Sequence, residues 1–174
     1  MCMDLILIRH LKPLLAAGIC YGASDVPASL DVAELRLPDE FPVAGTIWTS
    51  PLSRCLNLAL KLQFTSGLDL VVDKRLTELD FGVWEMQEWD AIGPALLDNW
   101  IASGFSDLHQ GESLVQFDSR IFDWYTDLDR SMNHVVVTHA GVIRSIHRQF
   151  LGLNLSQSLS LPVPFGSGLK ITLV

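Results

Sequence analysis

Short runs of branched apolar residues, each closed by polar side chains and followed by a helical pattern, constrain this chain more than any other feature. Leu5-Ile6-Leu7-Ile8 ends in Arg9-His10, and Val135-Val136-Val137 ends in Thr138-His139. Runs this short and this continuously apolar read as strands buried on both faces. Thr46–Thr49 and Leu70–Val72 are further strand candidates, and Gly168–Val174 is the last. Helical patterns separate them. Ser50-Pro51 reads as an N-cap and an N1 proline, opening a helix through Leu52, Leu56, Ala59 and Leu60. Glu88 to Ala102 is weakly helical and is broken at Gly93-Pro94. Ser113 and Gln116 form a capping box. Leu114, Phe117, Ile121, Trp124 and Leu128 then follow at spacings of 3, 4, 3 and 4, an apolar stripe that reads as core. A helix from about Val142 to Leu151 closes on Gly152. Strands alternating with helices predict an α/β class, a three-layer α/β/α sandwich with a mostly parallel sheet. In such sheets ligands bind beyond the carboxyl ends of the strands. Both histidine-ended strands therefore point their polar residues to one edge.

Composition narrows the partners. With 174 residues and 49% hydrophobic residues, the chain has enough apolar material for a core, and a single domain over residues 1–174 is expected. Lys and Arg number 12 against 20 Asp and Glu, a net charge of −8. That balance argues against nucleic acid and against anionic membrane as partners. It leaves room for a locally positive pocket that takes a small anion. Cys2, Cys20 and Cys55 are odd in number and lack CxxC spacing, so free thiols are expected, with no disulfide framework and no zinc site. The segment MCMDLILIRH has no basic n-region, and no run approaches the ~18 apolar residues of a membrane span. A soluble cytoplasmic protein is the expectation.

The predicted sheet edge gathers Arg9, His10 and His139 from strand ends and Arg54 from the first turn of the next helix. The backbone N–H groups at Ala140 and Gly141 open the helix after His139, and Gly141 would let a ligand come close. Two arginines, two histidines and a helix start suit a compact multivalent anion. Phosphate is the natural candidate, because guanidinium forks match its oxygens. Such a pocket neutralises phosphoryl charge without a metal or a cofactor.

The same residues resemble a known family. Leu-Ile-Arg-His at 7–10, Ser-Pro-Leu-Ser-Arg at 50–54, Leu-Thr-Glu at 76–78 and Thr-His-Ala-Gly at 138–141 look like the histidine phosphatase, or phosphoglycerate mutase-like, superfamily. The order of the motifs is kept from about residue 5 to residue 145. Cys20-Tyr21-Gly22 with Asp25-Val26-Pro27, Glu78 to Glu85, and Gly111-Glu112-Ser113 resemble its α-ribazole phosphatase-like branch. The resemblance implies His10 as the nucleophile and Arg9 and Arg54 as the phosphate clamp, with Ala140 beside it. It implies His139 completing the pocket and Glu78 donating a proton to the leaving group. A carboxylate beside a dianionic phosphate is pushed towards its protonated form by like-charge repulsion, which suits that role. Tyr21, Gly22 and Ser24 form a candidate substrate loop.

Two positions depart from the family pattern: Leu11 and Met86 stand where glycine is usual. The chain is shorter than phosphoglycerate mutases and has no large lid insertion, which favours hydrolysis over mutase chemistry. The implied reaction is hydrolysis of a small phosphorylated metabolite through phosphohistidine. α-Ribazole 5′-phosphate, from cobalamin nucleotide-loop assembly, is the substrate the branch suggests. The alternatives are a broad phosphatase on sugar phosphates or nucleotides, and a non-catalytic phospho-ligand-binding domain. Asp80 is the runner-up acid. Glu85, Glu88 and Asp90 read as solvated, and His147 as exposed. His109 is a candidate for the substrate mouth, and Trp84, Trp89, Trp100 and Phe105 lie in the segment that would cover the site.

Overall fold

Alternation within the strands decides the layers. In β1 (Met3–Arg9), Leu5 and Leu7 join one core cluster while Ile6 and Ile8 join another, and all four are buried. β4 (His134–Thr138) does the same, with Val136 on the first side and Val135 and Val137 on the second. A sheet apolar on both faces needs cover on both. This computed structural model, which describes residues 3–39, 41–42, 44–104 and 107–173, provides it.

The other strands are β2 (Thr46–Thr49), β3 (Asp69–Val72) and β5 (Gly168–Leu173). Their order is β3-β2-β4-β1-β5, parallel except for β5, which runs antiparallel to β1. On one face, α1 (Ser53–Ser66) packs Cys55, Leu58, Ala59 and Leu62 against Ile6, Ile8 and Ile47. On the other face lie α4 (Leu114–Thr126) and α5 (Ala140–Leu151). The expected stripe of α4 is core: Phe117, Ile121, Trp124 and Leu128 are buried, and the Ser113–Gln116 capping box is present. Short helices α2 (Trp89–Ile92) and α3 (Pro94–Ala102) break at Gly93-Pro94 as expected, while α6 (Leu155–Ser160) was not legible in the sequence pattern.

Register carries this fold to its site. Arg9 of β1 pairs with Thr138 of β4, so His10 and His139 leave the sheet side by side. Thr49 of β2 pairs with Val137, and the Ser50 N–H donates to Val137 O. Three adjacent strand ends thus deliver His10, His139 and Ser50 to one edge. Ser50 is therefore not the N-cap of α1, and Pro51 is not its first residue. The cap is Leu52, with no side-chain bond. The Ser50 hydroxyl instead accepts from Leu52 N and meets His139. Cys20 and Cys55 are free and buried; Cys2 and Phe105 lie outside the described residues. Among the described residues no helix is long and apolar enough to cross a membrane.

Candidate active site

His10 and His139 approach to 5.2 Å between ring centroids. His10 is 1% exposed, and its Nδ1 lies 2.7 Å from the carbonyl oxygen of Leu11. A carbonyl only accepts, so Nδ1 carries the proton and Nε2 keeps a free lone pair. Burial holds the His10 pKa down at about 3; the Leu11 bond opposes this, and the charges of Arg54 and Arg9 add to it. Leu11 itself is fully buried in the core beneath α1 and does not have a positive φ, so its replacement of the usual glycine brings no backbone strain.

Arg54 enters from the first turn of α1 and is 1% exposed. Its Nε donates to His139 Nδ1 at 3.3 Å, and its terminal nitrogens donate to Ser24 O at 2.6 Å and Gly22 O at 2.5 Å. Three of its five N–H groups are used, leaving two for a ligand. Because Arg54 Nε can only donate, His139 Nδ1 is unprotonated, and His139 Nε2 donates to Ser50 Oγ at 2.9 Å. Burial, then the charge of Arg54, pushes the His139 pKa well down.

Arg9 donates from one terminal nitrogen to Val163 O at 2.6 Å, and its guanidinium lies 3.7 Å from the Phe165 ring centroid. Its Nε is buried with no hydrogen-bond partner among the described residues. None of the ion pairs among the described residues involves Arg9 or Arg54. Two guanidiniums beside two neutral imidazoles leave positive charge uncompensated, an arrangement that an anion completes.

Glu78 follows a 3-10 turn at Lys74–Leu76. Its Oε2 accepts from Gly141 N at 3.0 Å and its Oε1 from Leu79 N at 3.1 Å. A Cβ on residue 141 would lie 2.1 Å from Glu78 Oε1. The glycine expected to admit a ligand thus admits this carboxylate, which takes one of the N–H groups at the start of α5. Arg120 of α4 braces the segment from behind. It forks onto Glu112 at 2.6 and 2.9 Å and donates to the carbonyls of Arg75 and Glu78. Asp80 is exposed and accepts from Gly82 N in its own turn.

Glu85 corrects the solvated reading given to it. It accepts from the backbone N–H groups of Phe81, Ala23 and Ser24 and from the Ser24 hydroxyl. A side chain on Gly22 would meet Glu85 Oε1 at 2.3 Å. Glu85 therefore shapes the 22–24 loop whose carbonyls hold Arg54. Met86, the next residue, has φ 64, the left-handed region glycine favours. Half-exposed Met86 has little packing to lose, so Met86→Gly should raise stability by about 0.5–1 kcal/mol, net of the glycine entropy cost. Thermal unfolding checks this; an unchanged or lower Tm would contradict it.

A cavity of about 400 Å³ opens beside these groups. Arg9, Tyr21, Gly22, Glu78, Ala140 and Gly141 line its polar end; Phe81, Trp89, Trp100 and Phe117 form an aromatic wall. His10, Arg54 and His139 are buried behind this lining, and the Tyr21 ring lies 5.1 Å from the Arg54 guanidinium. Ser24 does not line the cavity. His109 does not reach the mouth either; it is buried among Phe81, Trp84 and Trp100. His147 is 8% exposed, with Nδ1 donating to Ile143 O, so its reading as exposed is also corrected. The Cys20 thiol is pushed up to about 12 by burial, which removes it as a nucleophile at neutral pH. Among the described residues no group of three or more His, Cys, Asp and Glu could hold a metal ion.

Sequence reasoning missed Ser50, Phe165 and Arg144. Ser50 was findable by the rule that found His10 and His139, since it closes β2. Phe165 had no local signal, because it comes from the loop that brings β5 back antiparallel to β1. Gly166 in that loop donates to the carbonyls of Arg9 and His10.

The chain is similar to known proteins along much of its length. The chain is 30% identical over 115 residues to a candidate phosphoserine phosphatase of Hydrogenobacter thermophilus, covering 63% of this chain and 57% of that one. Phosphoserine phosphatase 1 of the same organism is 25% identical, covering 64% and 56%, so the matches span little more than half of these relatives. Among solved structures, a mycobacterial glucosyl-3-phosphoglycerate phosphatase superposes with TM-score 0.78 at 23% identity, covering 99% of this chain and 91% of that one. A candidate α-ribazole-5′-P phosphatase of Escherichia coli K-12 gives TM-score 0.78 at 22% identity, covering 98% and 90%. At these identities the structural likeness is one of fold. A family model spans nearly the whole chain, from residue 5 to residue 173, and by that match the protein belongs to the histidine phosphatase superfamily, branch 1.

Proposed function

We propose that this protein hydrolyses phosphomonoesters through a phosphohistidine on His10. The observation that carries the reading is the state of His10: Nδ1–H is spent on Leu11 O, and Nε2 is free beside two guanidiniums that form no ion pair among the described residues. A phosphoryl group enters by displacing the Tyr21 ring from Arg54, and Arg9 and Arg54 take its equatorial oxygens. His139 stands beside the phosphoryl group and keeps Arg54 aimed at it. Nε2 of His10 attacks phosphorus, the P–O ester bond breaks, and Glu78 delivers its proton to the departing oxygen. Water then attacks the phosphohistidine, Glu78 takes a proton from it, and orthophosphate leaves with His10 restored. Ala140, at the start of α5, contributes backbone to the phosphate side of the cavity.

The aromatic wall supports a leaving group that carries a ring. α-Ribazole 5′-phosphate, the substrate suggested by the sequence resemblance, is such a monoester. Its kcat/KM should exceed those of simple sugar phosphates; a flat profile would favour a broad phosphatase. The class itself is tested with an aryl phosphate in the presence of chelator. The expected result is turnover together with an acid-labile, alkali-stable phosphoenzyme. No turnover by the wild-type protein would favour a phospho-ligand-binding domain instead.

Glu78→Gln separates the acid from the nucleophile. Removing a positioned general acid costs about 10²–10⁴-fold where the leaving group needs its proton. The loss should be large on alkyl phosphates and small on p-nitrophenyl phosphate. Equal losses on both would contradict the assignment.

A further inference from the structure

The leaving-group end of the cavity carries a charge that the hydrolytic reading does not use. Three arginines line the cavity as a whole, Arg9, Arg144 and Arg148, against one carboxylate, Glu78, in a protein of net charge −8. Arg148 is neutralised by Asp118 of α4. Arg9 belongs to the phosphate end. Arg144, on α5, is the unassigned one. Its Nε and one terminal nitrogen donate to Leu161 O at 3.3 and 3.2 Å, which fixes the guanidinium between α5 and the end of α6. Among the described residues no carboxylate lies within ion-pair distance of it. The remaining terminal nitrogen makes no hydrogen bond among the described residues and is not shut off from solvent, so water or a ligand reaches it. Burial lowers the Arg9 pKa, Tyr21 and Glu78 oppose it, and the charge of Arg144 adds a smaller lowering, as expected when two guanidiniums share one cavity.

A half-buried cation held in place and left unpaired favours an anion in reach. The same cavity is walled by Phe81, Trp89 and Trp100. Their rings pack against one another, Phe81–Trp89 edge-on at 5.4 Å between centroids and Phe81–Trp100 tilted at 5.6 Å, so the wall is preformed rather than adaptable. We infer that Arg144 is a specificity-determining residue: the leaving group this site takes best carries a carboxylate, or another anionic oxygen group, attached to a flat apolar body. The inference rests on the phosphatase reading above and adds a requirement to it. α-Ribazole 5′-phosphate satisfies the wall but carries no anion in its leaving group, so it ranks below ring-bearing monoesters that do.

The test compares two aryl phosphates of nearly equal shape, 3-carboxyphenyl phosphate and 3-carbamoylphenyl phosphate. Wild-type enzyme should prefer the carboxylate in kcat/KM by about tenfold, mainly through KM, with the preference shrinking as salt is raised. Arg144→Leu should bring the ratio close to one, any loss shared by both esters being its effect on the common phosphate, and Arg144→Lys should recover part of the preference. No preference in the wild-type enzyme, or a preference that survives Arg144→Leu, would overturn the inference. If Arg144→Leu fails to fold, 3-hydroxybenzoate and 3-hydroxybenzamide decide the matter as inhibitors of the wild-type enzyme, and equal inhibition would overturn it. Failure of the phosphatase reading looks different: neither ester would turn over, or His10→Ala would turn over both as well as wild type.

Discussion

His10→Ala should lower kcat on an aryl phosphate by about 10³-fold or more and abolish formation of a phosphoenzyme. Among the described residues at this edge, it is the side chain with a free lone pair aligned by a hydrogen bond on its other nitrogen. Imidazole added in solution should restore little activity, because the cavity lining covers the vacated space. Stopped-flow or discontinuous release of nitrophenolate measures the first effect, and acid-labile labelling measures the second. Near-wild-type turnover by the variant would remove the covalent mechanism. The same variant should also change acid stability. His10 stays neutral in the folded protein down to about pH 3, whereas the unfolded chain protonates it near pH 6.5. Between those values the unfolded state binds more protons, so folding stability falls as pH falls, by about 1.4 kcal/mol per pH unit for each such histidine. His139 acts in the same direction. Wild type should therefore lose stability steeply below about pH 6.5, and His10→Ala should lose it along a shallower slope. Urea unfolding at several pH values reads the difference; parallel slopes would mean that His10 is not held neutral.

Arg54→Ala should cost about 10²–10³-fold in kcat/KM on every phosphomonoester, whatever its leaving group. It removes a forked cation aimed where charge sits in both ground and transition states. Arg54→Lys should recover little, because an ammonium cannot bond His139, Gly22 O and Ser24 O and still present two donors to a ligand. Orthophosphate or vanadate should raise the Tm of wild-type protein with rising concentration, as mass action requires, and this shift should vanish in Arg54→Ala. Neutralising scattered surface carboxylates should alter kcat/KM far less, despite the net charge of −8. Retained phosphate stabilisation in Arg54→Ala would place the anion site elsewhere. Since the variant also unties the 22–24 loop, its unliganded Tm must be measured beside the shift.

The parts of the site that could be read from residues alone share one property: each closes a strand or opens a helix. Arg9, His10 and His139 follow apolar runs, and Arg54 begins α1, so a general rule about strand ends sufficed to group them. The readings that failed did so where a side chain's partner lies far along the chain. Ser50 looks like a helix cap because the Ser-Pro pair carries that signal, yet its hydroxyl faces His139, 89 residues away in the chain. Glu85 looks solvated because most glutamates are, yet it gathers N–H groups from the 22–24 loop about 60 residues upstream. Gly141 looked like an opening for a ligand, and Glu78 occupies that space.

The sequence by itself determined the layered α/β class, the edge at which chemistry would lie, and the residue types there. Period-two burial and helical stripes are local properties, legible over a few residues. Tertiary structure decided everything that depends on which donor meets which acceptor. The pairing of Arg9 with Thr138 places the two histidines together, and the Leu11 carbonyl selects the His10 tautomer. That Arg54 and Arg144 form no ion pair among the described residues follows from where packing places the carboxylates. Hydrogen bonds and uncompensated charge are properties of distances, and in a folded chain those distances are set by packing between segments that the sequence keeps far apart.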